Sequence, residues 1–187
     1  MLYEKLMSIY QNNKFLRENF DFNIYYKRLS QYISVEVNQG NEYISPFRFS
    51  KMFDTDLEDT IRYFLSISSP SDERFIQIMY KYKCENCGSL NFFSSKDVLN
   101  DDLRCVHCDD EVYGINMDID RFVLVFELSE VLKDEFRSLK IRTLSKNDAD
   151  IGRGISMGSA SSLILKNPEI NPELNRNFQE YWDIANG

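Results

Sequence analysis

Histidine and tryptophan occur once each in the 187 residues, as His107 and Trp182, and cysteine occurs four times, always between positions 84 and 108. With a single imidazole, no Gly-x-Ser-x-Gly elbow and no Gly-Lys-Ser/Thr phosphate loop, the chain lacks the common signatures of hydrolases and NTPases. Long apolar runs are missing too. The longest, Phe122–Phe126, is five residues, against the roughly 20 needed to cross a bilayer. The opening stretch MLYEKLMSIYQNNKFL carries Glu4 and Lys5 and no uninterrupted apolar segment before a small-residue cleavage site, so it does not read as a signal peptide. No membrane contact is expected, and the cytoplasm is the expected location.

Cations are scarce. There are 22 Lys and Arg against 30 Asp and Glu, a formal charge of −8 with a pI near 4.8. That sign is wrong for a protein that holds polyphosphate by long-range attraction, so any contact with nucleic acid has to be local. Counted along the chain, residues 1–50 carry +1, 51–80 carry −3, 81–120 carry −5, 121–150 carry 0 and 151–187 carry −1. The acidity is concentrated in the middle.

What is present is enough apolar material for a core: 43% apolar residues, of which aromatics make up 14% of the chain. The patterning predicts an α+β fold. Leu2, Leu6, Ile9, Leu16 and Phe20 recur at helical spacing, predicting one amphipathic helix over 2–20, and a second helix starts from an Asp21 cap over 21–33. VEVNQGNEYI, with its β-branched residues and Gly40, reads as a short hairpin or loop. Ser45 and Pro46 mark a helix start. A further helix follows from an Asp54 or Thr55 cap, with Glu58 and Asp59 in its first turn, Leu57, Ile61, Phe64 and Leu65 on one face, and Pro70 as its stop. Ile76, Ile78, Tyr80 and Tyr82 then alternate with Gln77, Lys81 and Lys83 as in a half-buried strand.

Every cysteine falls in KYKCENCGSLNFFSSKDVLNDDLRCVHCDD, as two Cys-x-x-Cys pairs. In a reducing compartment such pairs favour zinc over disulfides. Two residues between paired cysteines let both sulfurs of a tight turn face one ion about 2.3 Å away, and two such turns complete a tetrahedron. Cys84, Cys87, Cys105 and Cys108 are therefore the expected ligands of a structural Zn²⁺. Four thiolates leave no open coordination position, so catalysis through this metal is not expected. Gly88 suits the backbone just after the first pair; Asp109 stands at the matching place after the second. His107, inside the second turn, reads as an exposed loop residue because the four sulfurs already fill the shell. Four thiolates on zinc carry about −2, and with Asp101, Asp102, Asp109, Asp110 and Glu111 nearby the lobe would repel phosphate.

Residues 82–113 resemble a zinc ribbon. Two short helices and a strand before it, with a returning strand RFVLVFELS after it, give the order of a winged helix whose hairpin carries the ribbon. Over residues 45–125 this arrangement resembles the winged-helix and zinc-ribbon pairing of general transcription factor E, and in size and charge the chain resembles the small winged-helix partners of SMC-type ATPases. Beyond the cysteines, SEVLKDEFRSLKI predicts a helix with Leu132 and Phe136 inward. DIGRGISMGSASS reads as a flexible loop, and PELNRNFQEYWDI as a C-terminal helix with Leu174, Phe178 and Trp182 a turn apart. The expected units are 1–80 (helical and winged-helix-like), 81–113 (zinc ribbon), 114–146 (strand and helix completing the core) and 147–187 (flexible segment and docking helix).

Several residues are candidates for contacts. Phe178 and Trp182 would anchor the C-terminal helix on a partner or on its own domain. Lys14, Arg17, Lys27 and Arg28 near the start, and Lys133, Arg137, Lys140, Arg142 and Lys146 later, form basic patches if folding gathers them. Against base reading stand Asp54, Asp56, Glu58 and Asp59, which occupy the start of the helix that a winged helix points at DNA. The expected role is a non-catalytic adaptor subunit whose partners are other proteins of a complex acting on DNA or RNA, with nucleic acid reached through that complex and no small-molecule substrate. Its size and its Asn-, Ile-, Lys- and Tyr-rich usage suggest a bacterial, antiviral defence setting. The competing expectation is a transcription regulator that binds duplex DNA directly.

Overall fold

The computed structural model describes residues 1–69, 75–98, 103–112, 121–137 and 154–186, without the side chains of residues 95, 96 and 181–186. Its elements in chain order are α1 (Leu2–Asn12), α2 (Lys14–Asn19), α3 (Phe22–Asn38), β1 (Tyr43–Ile44), α4 (Pro46–Phe53), α5 (Leu57–Ile67), β2 (Ile76–Lys83), β3 (Leu90–Ser94), α6 (Ser95–Val98), β4 (Val123–Leu128), α7 (Glu130–Arg137), β5 (Ile155–Ser156), α8 (Met157–Lys166) and α9 (Pro172–Asn186). The class is α+β, with an antiparallel sheet and helices at both ends.

The expected single helix over 2–20 is broken. Asn13 takes an extended backbone (φ −115, ψ 106), ends α1, and caps α2 by accepting from the Leu16 N–H at 3.1 Å. A short amide side chain that satisfies an orphan N–H makes this break inexpensive. Asp21 starts α3 in the same way, accepting from Ile24 N at 2.9 Å.

The helix α3 runs to Asn38 and absorbs the first four residues of the stretch expected to be a hairpin or loop; only Tyr43–Ile44 is strand. Its end is a Schellman motif, with Asn41 N donating to Glu36 O and Gly40 N to Val37 O, both at 3.0 Å. Gly40 takes the positive φ (76) that this motif requires. Glu36 in the last turn is 1% exposed and pairs with Arg48 of α4 at 2.7 Å, while Asn41 donates to the same carboxylate oxygen at 2.8 Å. A tertiary partner thus holds a β-branched segment in the helix against its own preference.

The helix α4 begins at Pro46, as expected, but the Ser45 side chain makes no capping bond. Instead the Tyr32 hydroxyl accepts from Ser45 N at 2.9 Å and donates to Ser45 O at 2.8 Å. Asp54 ends α4 in a left-handed conformation (φ 49), and Asp56, not Asp54 or Thr55, caps α5 by accepting from Asp59 N at 3.0 Å.

The strand β4 is central. β1 and β5 share one of its edges, pairing at Tyr43↔Glu127 and Val123↔Ser156, while β2 runs antiparallel along the other from Ile76↔Leu128 to Lys81↔Val123. The sheet order is β1-β4-β2-β3. The expected alternation in β2 is observed, with Ile76, Ile78, Tyr80 and Tyr82 buried. One face carries α3, α4 and α5 through edge-on rings: Tyr32 to Phe49 (5.4 Å), Phe49 to Phe64 (5.3 Å) and Phe64 to Phe126 (5.4 Å).

Over 154–166 the stretch expected to be a loop is instead β5 and α8. Ser156 caps α8, accepting from Ser159 N at 3.2 Å, and Met157, Ala160 and Ile164 are buried. Asn171 caps α9 by accepting from Leu174 N at 3.1 Å and donates to the Leu65 and Ser68 carbonyls at 2.6 and 2.9 Å, fastening the end of α5 to the start of α9. Pro70, the expected stop of α5, and Lys146 lie outside the described residues; α5 already ends at Ile67.

Candidate metal centre

The strands β2 and β3 form a hairpin whose connecting loop, residues 84–89, is the first cysteine turn. The second turn, residues 105–110, follows α6 and closes with a bridge between Arg104 and Glu111. The two turns repeat each other bond for bond. Cys84 N donates to Ser89 O and Gly88 N to Cys84 O; Cys105 N donates to Asp110 O and Asp109 N to Cys105 O, all at 2.9 Å. Gly88 (φ 75) and Asp109 (φ 58) hold the same left-handed position. Asp is among the few side chains that tolerate it, and this is how the second turn forms without glycine.

The four Sγ atoms lie within 4.8 Å of one another. The Cys84–Cys108 and Cys87–Cys105 separations are 3.7 and 3.6 Å, and all four cysteines are unbridged. A tetrahedron with metal–sulfur bonds of about 2.3 Å has edges of ~3.8 Å. The cluster therefore has the size and the donor set to hold one thiophilic ion. His107 adds no ligand to this cluster.

The electrostatics divide the sulfurs. The backbone N–H groups of Cys108 and His107 face Cys105 and hold its thiol down to about 6. Cys87 is also lowered, by the Ser89 hydroxyl first and the Ser89 backbone next. At Cys108 the Asp110 N–H favours the thiolate, but burial and the neighbouring sulfurs of Cys87, Cys84 and Cys105 outweigh it and push the thiol up to about 12. Cys105 is the readier thiolate of the two, and a metal ion binding at Cys108 would displace a proton to solvent.

Asn91, which the spacing argument did not single out, links the two turns. It is 1% exposed. Its Nδ2 donates to Cys105 Sγ (3.6 Å) and to Ser89 O (3.2 Å), and its Oδ1 accepts from Val106 N (2.9 Å). The signal in the sequence was an Asn in phase with Phe93 on the inward face of β3. Asn86 also reaches the cluster, with Nδ2 3.9 Å from Cys108 Sγ.

The lobe is not separate from the body. Cys84, Cys105, Val98, Leu103 and Val112 belong to the same contiguous core as Tyr82 and Phe122, whose rings are 5.3 Å apart.

Several of the remaining candidate cations have partners within the chain. Lys133 is 7% exposed and bonds to Glu130 at 2.8 Å; Arg137 pairs with Glu130 at 3.0 Å and with Asp134. Lys14 pairs with Glu18, Arg17 donates to the Tyr10 and Gln11 carbonyls, and Arg28 lies over the rings of Tyr25 and Phe53. Lys140 and Arg142 lie outside the described residues. Phe178 is 0% exposed and packs within its own chain; the Trp182 side chain is outside the described set. Compared with protein-family models, curated proteins and solved structures, the chain finds no match. No helix among the described residues is long and apolar enough to cross a membrane.

Proposed function

We propose that the chain is a zinc-stabilised winged-helix adaptor, a non-catalytic subunit that works through protein contacts within a larger assembly acting on DNA or RNA. The observation that carries the reading is the four-sulfur shell. Zinc suits it because thiolates bind soft and borderline ions at this spacing, and once four sulfurs are bound no position remains for water or substrate. The ion's work is then structural, holding the two cysteine turns together.

The winged-helix assignment draws support from topology. The chain runs helix, strand, two helices, a two-stranded hairpin and, after the short α6, a returning strand (α3, β1, α4, α5, β2, β3, β4), with β4 between β1 and β2. The ribbon sits where the wing would be. In such a domain α5 faces the DNA, and here its first turn holds Glu58 and Asp59, both paired to the helix's own cation Arg62. The rest of α5, from Tyr63 to Ile67, is buried. Carboxylates at this end suit capping and the helix dipole and oppose phosphate, which favours a protein partner over direct DNA binding.

Affinity purification of the native protein tests the reading: a stoichiometric protein partner is expected, and isolation as a lone chain would overturn it. The second reading, a regulator that binds duplex DNA, is favoured by the winged-helix order alone. It predicts binding to random duplex at ~50 mM salt that weakens steeply at ~200 mM as counterion release is suppressed. The adaptor predicts no binding at either.

A further inference from the structure

One buried amide, that of Asn91, bonds to both cysteine turns. We infer that Asn91 is a positioning residue of the metal centre: it donates a hydrogen bond to the Cys105 thiolate and clasps the second turn to β3, setting metal affinity without being a ligand. The inference rests on the zinc reading above.

The geometry is specific. Asn91 lies on β3, one residue after Leu90 at the start of that strand and two after Ser89 at the end of the first turn. Its carbonyl oxygen accepts from the N–H of Val106, the residue that follows Cys105. Its amide nitrogen is shared between Ser89 O, in the first turn, and Cys105 Sγ, in the second. One side chain thus spans both halves of the site, and at 1% exposure water does not compete for its bonds. The second turn needs such a clasp. Across the two turns the sulfurs approach one another and Asn86 approaches Cys108, and sulfurs that have lost their protons repel at this distance until a cation arrives. An N–H aimed at a thiolate disperses its charge and fixes its direction, as partners behind metal ligands generally do.

Two substitutions separate the clasp from the sulfur bond. Asn91→Asp keeps an oxygen acceptor for Val106 N but has no N–H to give the sulfur; Asn91→Ala removes both. The full chain and both variants are titrated with cobalt(II), whose thiolate-to-metal charge-transfer band reports the electron richness of the sulfurs, and zinc affinity is read by competition with a chromophoric chelator. The wild type is expected to bind one ion. Both variants should bind zinc about 10- to 100-fold more weakly, and at saturating cobalt their charge-transfer band should move to lower energy, because a sulfur without its N–H donor gives up electron density more readily. Unchanged affinity and an unmoved band in both variants would overturn the inference. Weaker binding with an unmoved band would overturn the sulfur bond and leave only the clasp. A variant that takes up no cobalt even in large excess would also overturn it, since Asn91 would then be part of the fold. If the wild type itself bound neither ion, the zinc reading would be the one to fall.

Discussion

At the scale of single residues, two kinds of polar group do different work. The cysteines converge through a geometry written in their spacing, which is why Cys84, Cys87, Cys105 and Cys108 could be picked out from the chain alone. Asn91 could not be picked out with the same force. Its role depends on where β3 lands beside the second turn, a tertiary fact. The same holds for Asp56: Asp54, Thr55 and Asp56 are all competent caps, and only the left-handed turn at Asp54 decides among them. Substituting Cys84 with Ser is expected to abolish tight zinc binding and unfold the 84–112 lobe, because structural metal binding is folding energy; retained zinc with an unchanged melting curve would contradict this. Glu36 makes a different prediction. Burial raises its carboxyl above the usual range, although the Arg48 charge and the bonds from Asn41 and Tyr32 pull the other way. A raised folded-state value means the folded protein holds this proton more tightly than the unfolded chain. Its contribution to stability is therefore complete below the ordinary value of 4.5 and is lost as pH rises through the raised one. Relative to Glu36→Gln, the wild type should gain stability in chemical denaturation as pH falls from neutral towards that range; a relative loss would contradict the assignment.

At the scale of elements, periodicity was informative and boundaries were not. The alternation in β2, the Asp21 cap and the inward Leu132 and Phe136 of α7 were all legible, since each depends on neighbours in sequence. The break at Asn13, the length of α3 and the helix α8 were not. An Asn with an extended backbone interrupts an otherwise continuous apolar stripe; a buried ion pair from α4 carries α3 through Val35 and Val37; and a Gly- and Ser-rich segment folds because Gly154, Met157, Ala160 and Ile164 pack closely on the body. Gly154 shows the last point most directly. A Cβ there would lie 1.9 Å from the Leu124 carbonyl oxygen and 2.7 Å from Val123 Cγ1. Gly154→Ala should destabilise the protein by roughly 1–3 kcal/mol and free β5 from β4, seen as faster amide exchange at Ile155 and Ser156 and at the β4 residues beside them. Normal protection there would count against this packing. Asn171→Ala removes the α9 cap and leaves the Leu65 and Ser68 carbonyls without this donor, so a loss of about 2–3 kcal/mol is expected in equilibrium unfolding. A loss of only a few tenths would mean that water replaces the amide.

At the scale of the whole molecule, the body and the cysteine lobe share one apolar core, and this bears on how metal loss should be felt. Val98, Leu103 and Val112 reach that core from the lobe, so chelation should lower the melting temperature of the entire chain and not only loosen the hairpin. The α+β class could be read from composition and patterning; the sheet order β1-β4-β2-β3 could not, because strand pairing is settled by tertiary contacts. The partner could not be read, because docking surfaces are set by exposed side chains that obey no period. Folding buries Phe178 and sets Lys133 and Arg137 beside carboxylates, placements that depend on neighbours distant in sequence or on helix phase. The central claim, that four sulfurs from two turns converge on one zinc ion, is tested most directly by metal analysis of protein purified without chelators. The account predicts one zinc per chain and four thiols that react with a thiol reagent only after the metal is removed; protein with no bound transition metal, or with its cysteines paired as disulfides, would contradict it.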